Sequence, residues 1–357
     1  MESQPVRLSA GDYAPWFKAR ALSGKKDYTF DTVGGRHVLM LFYGSLTHAP
    51  SAAALDLVMK NSTMFDDEFA CFFGVTVDPR DEASGRIAQR LPGRRFFLDY
   101  DKAVSRKYGA LDREGRYAPH WLVLDRELRV VRRFPLADGE AALDLLAALV
   151  ATASETPAPV LTVPRIFEPE LCRELIALHQ KDGGSESGYA QDRDGKTVNI
   201  LDPGFKRRRD YAIEDELLQR HLLMRINRTL VPAIARGFQF TATRIERHLV
   251  ASYEEGAGHF RAHRDNTTRG TAHRRFAVTI NLNSDEYEGG DLCFPEFGRR
   301  TYRAPTGGAV VFSCSLLHEV KPVTRGRRYA YLPFLYDDAA AAIREANLDA
   351  VEHLNRA

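Results

Sequence analysis

Continuous apolar runs alternate with amphipathic stretches over the first 150 residues. Residues 38–43 (Val-Leu-Met-Leu-Phe-Tyr) are apolar without a break, the pattern of a strand buried on both faces of a mostly parallel sheet. Residues 52–60 then read as a helix, 71–77 as a second buried strand ended by Asp78-Pro79, and 96–98 as a short third. Residues 121–125 form a fourth strand, and 130–134 pair with it through a turn at Arg126-Glu127. Strands alternating with helices imply an α/β layer fold. The pattern changes after an Ala/Leu-rich helical stretch at 140–150. Residues 151–159 (Ala-Thr-Ala-Ser-Glu-Thr-Pro-Ala-Pro) are small, polar and twice interrupted by proline, which reads as a linker. The expected division is a domain over 1–152, a linker over 153–160 and a second domain over 161–357.

The second part opens with a helix near 168–178, with Pro169 in its first turn and Leu171, Leu175 and Leu178 on one face. A long helical pattern covers about 213–236. From Ile245 short strands closed by Gly/Asn/Asp/Pro turns take over, including 276–281, 309–313 and 329–335. Many short strands of this kind suggest a sandwich, barrel or jelly roll. A helix is expected over 339–353. Residues 183–202, rich in Gly, Ser and Asp, read as a mobile lid.

Composition narrows the function classes. Of 357 residues, 44% are apolar and 27% charged, ordinary for a globular protein. Fifty Lys and Arg against 48 Asp and Glu leave a net charge of +2, which gives no argument for a nucleic-acid or anionic-membrane partner. No apolar run is long enough to span a bilayer, and Met1-Glu2-Ser3-Gln4-Pro5 does not start like a signal peptide. Cys71, Cys172, Cys293 and Cys314 form no CxxC pair, which fits a reducing, cytoplasmic location rather than a zinc ribbon or disulfide framework. The basic run Lys206-Arg207-Arg208-Arg209 and the arginine pairs at 274–275 and 299–300 read as solvated surface.

The chemistry concentrates in His263-Arg264-Asp265. About one His-x-Asp triplet is expected by chance in such a chain, so the context decides. Fifty-three residues later a strand-like run leads to His318, and ten residues beyond lies Arg328. Residues one apart on a strand share a face, so His263 and Asp265 can grip one ion from one side. A histidine from another strand completes two imidazoles and a carboxylate, a set that suits non-haem Fe(II) oxygen chemistry. Neither HExxH nor paired cysteines are present for a zinc hydrolase. His259 and His273 lie near the motif but lack its spacing, and the lone histidines His248 and His353 read as surface or core residues.

Residues 253–265 (Tyr-Glu-Glu-Gly-Ala-Gly-His-Phe-Arg-Ala-His-Arg-Asp), 278–283, 287–292 (Tyr-Glu-Gly-Gly-Asp-Leu) and 318–329 together resemble prolyl 4-hydroxylase-type 2-oxoglutarate/iron(II) oxygenases over about residues 160–337. The resemblance implies a double-stranded β-helix (jelly-roll) domain with supporting helices. It makes His263, Asp265 and His318 ligands of Fe(II), and Arg328, rather than Arg327, the partner of the distal carboxylate of 2-oxoglutarate. Tyr253 falls on the cosubstrate side. Asn281, where relatives often carry tyrosine, and Thr279 are further pocket residues. O2 is the second cosubstrate, and ascorbate could stimulate turnover. The implied reaction hydroxylates an unactivated C–H bond of a prolyl residue, amino acid or natural-product intermediate and releases succinate and CO2. Asp265 argues against a halogenase, which would lack the carboxylate ligand.

The first part resembles a peroxiredoxin or thioredoxin-like domain over about residues 5–150, through 11–17, 41–51, 74–78, 99–109 and 121–125. Ser51 or a close neighbour stands where that family places its peroxide-reducing cysteine. Serine forms no sulfenate, so a binding or homodimerisation role is the expectation for this part. Two other classes stay open: a binding or sensor protein with a vestigial iron site, and a thiol or peroxide redox protein.

Overall fold

The computed structural model describes residues 8–24, 27–112 and 114–351. Met1 to Pro5 and the end of the last expected helix lie outside them. The chain forms two compact units. The first runs to Thr156 and includes Pro295–Gly298; the second holds Pro157–Phe294 and the residues from Arg299 onward.

In the first unit, five strands form one sheet in the order Arg94–Leu98, Ala70–Thr76, His37–Gly44, His120–Leu124, Val130–Pro135. The first three are mutually parallel and the last two antiparallel. Every residue of His37–Gly44 is buried, because both faces are covered. Val38, Met40 and Phe42 enter one core with Phe73 and Phe97, while Leu39, Leu41 and Tyr43 enter the other with Trp121. The helix expected from residue 52 starts at Ala49, since Pro50 sits in the first turn, where no N–H is required.

In the second unit, helix Pro169–Asp182 ends at Gly183, whose φ of +88° suits a left-handed cap. Its buried face is Leu171, Cys172, Leu175 and His179; Leu178, expected there, is only half-buried. The long helical pattern begins at Glu216, capped by the Asp215 carboxylate, and reaches Phe238 through a π-helical turn over Ile226–Leu230. Pro232 brings no N–H to the ladder just beyond that turn. Leu222, Ile226, Leu230 and Ile234 pack against Val250, Val278, Ile280 and Tyr331 on one face of a large antiparallel sheet.

That sheet runs Arg244–Ile245, Phe334–Tyr336, Phe276–Asn281, Arg328–Tyr331, Leu249–Tyr253, Arg209–Ala212, Ser185–Glu186, with Ala309–Ser313 on the other edge of Phe276–Asn281. The expected strand 329–335 is two strands, separated at Leu332-Pro333. A smaller sheet runs Lys206–Arg207, His259–His263, His318–Val320, Leu292–Cys293, Thr301–Tyr302. This unit is β-sheet-rich, as a jelly roll requires. The C-terminal helix is shorter than expected, spanning Asp338–Ala346.

Residues 183–202 are not an open loop. Tyr189–Arg193 and Lys196–Ile200 form an antiparallel hairpin through Asp194-Gly195, both at positive φ. The hairpin is tied down: Thr197 Oγ1 donates to Asp192 (2.6 Å) and accepts from the Gly270 backbone (2.9 Å). The basic run is corrected as well. Lys206 and Arg208 are buried, alternating with exposed Arg207 and Arg209, so the period-two pleat turns two cations inward. Arg274 is likewise no surface residue, since its guanidinium is ion-paired and its side chain is only 13% exposed.

Candidate metal and cosubstrate site

The smaller sheet and the face of the larger sheet opposite the helices carry the site residues. His263 ends its strand and His318 begins the next, and the two are direct partners across the antiparallel pair. Asp265 lies just past the strand end rather than on it. Its backbone N–H donates to the Cys314 carbonyl (2.9 Å), which fixes the turn. The His263 Nδ1 donates to the Arg261 carbonyl (2.7 Å) and the His318 Nδ1 to the Leu316 carbonyl (3.0 Å). Those bonds leave each Nε2 with its lone pair free for a ligand. The two Nε2 atoms approach the Asp265 carboxylate at 3.6 and 3.3 Å, and the ligand atoms all lie within 4.8 Å of one another.

Electrostatics favour the same protonation states. Burial, reinforced by His263, pulls His318 down to about 4, so its imidazole is neutral at neutral pH. Burial alone would raise Asp265, but the neighbouring imidazoles and Arg274 hold it below the usual carboxylate range. Two imidazoles and one carboxylate converging on one point fit a divalent ion with positions left open.

Arg328 occupies the other end. It is 2% exposed, and its Nε and Nη1 have no hydrogen-bond partner. A buried guanidinium without a counter-charge is costly unless an anion joins it. Arg327 differs: it is half exposed and pairs with Glu254 (3.1 Å). Tyr253 is buried directly across from Arg328, whose guanidinium carbon lies 4.9 Å from the phenol ring. Gly290 (φ +66°) keeps this pocket open, since a Cβ there would press on the Arg328 Cδ (3.2 Å) and on Val323 (2.9 Å).

Register explains the space between. Asn281, Ala330, Ala251 and Asp210 are successive partners on four adjacent strands and share a face with Tyr253 and Arg328. The two alanines, fully buried, keep this row low. Thr279 is buried on the same face as Asn281. The Asn281 Nδ2 is engaged by the Ala304 carbonyl (2.8 Å), and its Oδ1 has no partner.

Behind the triad, Arg274 donates to Glu246 through Nε (2.8 Å) and Nη2 (2.5 Å), and His273 Nε2 also bonds Glu246 (2.9 Å). Arg274 Nη1 reaches back to the Asp265 carbonyl (3.4 Å). Sequence reasoning missed this support, as well as Ala251 and Ala330. His248, set aside earlier, is occupied by the Tyr331 hydroxyl (2.6 Å). In the first unit, Ser51 is fully buried and donates to the Tyr43 carbonyl (2.8 Å), and burial pushes the Cys71 thiol up to about 12.

Residues 248–336 match the 2OG-Fe(II) oxygenase superfamily. A PKHD-type hydroxylase of Burkholderia lata is 31% identical over 170 residues, 44% of this chain and 68% of the relative. One of Verminephrobacter eiseniae is 27% identical over 175 residues, 46% of this chain and 70% of the relative. Further PKHD-type hydroxylases match over only 37% of their length. Among solved structures, a prolyl hydroxylase of Trichoplax adhaerens, in complex with a hypoxia inducible factor peptide fragment, aligns with a TM-score of 0.42 at 17% identity, over 58% of this chain and 94% of that one.

The chain belongs to the 2OG-Fe(II) oxygenase superfamily. It is a 2-oxoglutarate-dependent non-haem iron hydroxylase, and the family's reactants are Fe(II), 2-oxoglutarate and O2. Among the described residues no helix is long and apolar enough to cross a membrane.

Proposed function

We propose that His263, Asp265 and His318 hold Fe(II), and that Arg328 pairs with the distal carboxylate of 2-oxoglutarate. The observation that carries this reading is the buried Arg328 guanidinium, whose Nε and Nη1 have no hydrogen-bond partner. Tyr253, Thr279 and the row through Ala251 and Ala330 line the cosubstrate's path. Asn281 lines it too, but offers an acceptor rather than a donor to a carboxylate. The bound metal supplies oxygen activation coupled to cosubstrate decarboxylation. The chain fixes the imidazole tautomers, keeps Asp265 ionised and orients the cosubstrate from its charged end. The product class is a hydroxylated C–H carbon on a prolyl residue, an amino acid or a natural-product intermediate.

The second unit, on this reading, is a double-stranded β-helix. The first is a thioredoxin-like domain without peroxidase chemistry. Its support is the sheet of three parallel strands continued by two antiparallel ones, together with the buried Ser51. The test of the oxygenase is anaerobic titration with Fe(II) and 2-oxoglutarate, then succinate release on admitting air. Wild type should bind both and form succinate, whereas Asp265→Ala should form none. Absence of cosubstrate binding in the wild type would overturn the reading.

A further inference from the structure

Beside the triad lies a second buried charged group. Lys206 Nζ donates to Ser187 Oγ (2.7 Å) and to the Gly188 carbonyl (2.5 Å), and touches no carboxylate. Arg208 Nη2 donates to Asp210 Oδ2 (2.6 Å) and to Ser187 Oγ (3.1 Å). Ser187 Oγ also donates to Asp210 Oδ2 (2.5 Å). With Lys206 protonated, two cations share one carboxylate through one hydroxyl, and the cluster carries one positive charge more than Asp210 balances. Its hydrogen bonding is incomplete on both sides, since Arg208 Nε and Asp210 Oδ1 are buried without partners.

Its position links it to the reaction. Lys206 Nζ sits 4.8 Å from the Phe260 ring, and that ring stacks on His263. Arg209 pairs with Ser252, so Arg208 falls opposite Tyr253, on the side away from Arg328. Arg328 answers the single free carboxylate of a chelated 2-oxoglutarate on the reading above, which leaves the unpartnered Arg208 Nε for a different acceptor.

We propose that Lys206, Arg208 and Asp210 form a receptor for the molecule that is oxidised, reading a carboxylate with an N–H donor beside it, as at the end of an α-amino acid. Arg208 and Lys206 take the carboxylate, and Asp210 Oδ1 takes the donor. Burial lowers the Lys206 ammonium well below its ordinary value, and an arriving carboxylate restores its proton. The inference rests on the oxygenase reading above and selects the amino-acid end among its substrate classes.

The test uses the full chain saturated with Mn(II) and 2-oxoglutarate, so that Arg328 is occupied, and titrates glycine, acetate and glycinamide by thermal shift and calorimetry. Glycine should stabilise saturably, acetate more weakly and glycinamide not at all. Lys206→Met removes the surplus charge while keeping the Arg208–Asp210 pair, so the fold should hold and glycine affinity should fall roughly tenfold. No saturable glycine response, or one unchanged in Lys206→Met, overturns the receptor. Lys206→Met weakening 2-oxoglutarate as much as Arg328→Met also overturns it, and assigns the cluster to the cosubstrate. If Mn(II) and 2-oxoglutarate themselves do not bind, the oxygenase reading falls and the receptor falls with it.

Discussion

Arg328 and Tyr253 face each other across one strand pair, the guanidinium carbon 4.9 Å from the phenol ring, with two of the arginine's nitrogens unbonded. An aromatic face steadies a cation without consuming its hydrogen bonds. The arginine is thereby held ready for an anion.

Arg328→Met should therefore weaken 2-oxoglutarate binding by about 1.5–3 kcal/mol, the worth of hydrogen bonds to a charged group. Calorimetry with Mn(II) in place of Fe(II) measures it. The ligand-free variant should be no less stable than wild type, because the lost charge had no partner to strand. Arg327→Met, at a half-exposed position paired with Glu254, should leave cosubstrate affinity unchanged.

Glu246 anchors Arg274 and, through it, the backbone at Asp265. Glu246→Gln leaves the Arg274 guanidinium without its counter-charge and should cost about 3–5 kcal/mol in chemical denaturation. Manganese affinity should drop as well, because the Asp265 carbonyl loses its tether. Unchanged metal affinity in a folded variant would show that the Cys314 contact alone holds the turn.

Burial, together with the Arg133 cation, lowers His120 in the first unit to about 3. Its folded value lies below the unfolded value of 6.5, so between these limits only the unfolded chain takes the proton. Stability should fall on acidification from pH 6.5 towards 3, by about 1.4 kcal/mol per pH unit from this group. Fluorescence of Trp16 and Trp121, both in this unit, follows the unfolding. His120→Phe keeps the stacking on Phe42 (4.8 Å) and should flatten the acid limb.

Ser51→Cys should not create a peroxidase. The side chain is fully buried against the Tyr43 carbonyl, where a thiol would be neutral and out of reach of solvent. A thiol-coupled peroxide assay should show no turnover.

Much of this was legible in the sequence where one residue type answers one physical demand. His263, Asp265 and His318 converge as the spacing suggests, and the apolar run at 38–43 and all of 71–77 but Val77 lie within fully buried strands. What stayed hidden depends on partners far along the chain. Lys206 and Arg208 read as surface because charge usually is; only pairing with His259 and Phe260, and the alternation of the pleat, turn them inward. Ala251 and Ala330 carry no signal in themselves, and their meaning is the space their neighbours leave. The Gly/Ser/Asp content of 183–202 looked like a loop, yet Asp194-Gly195 is a hairpin turn and Thr197 a fastening.

His263 and His318 are partners across neighbouring strands, and the register between those strands slips between Phe260 and His263. An ion held by both imidazoles is therefore a rivet through the irregular part of the smaller sheet. Loading the protein with metal should slow amide hydrogen exchange at Arg261–His263 and Glu319–Val320 selectively, so that filling the site also stiffens the wall against which a substrate is positioned.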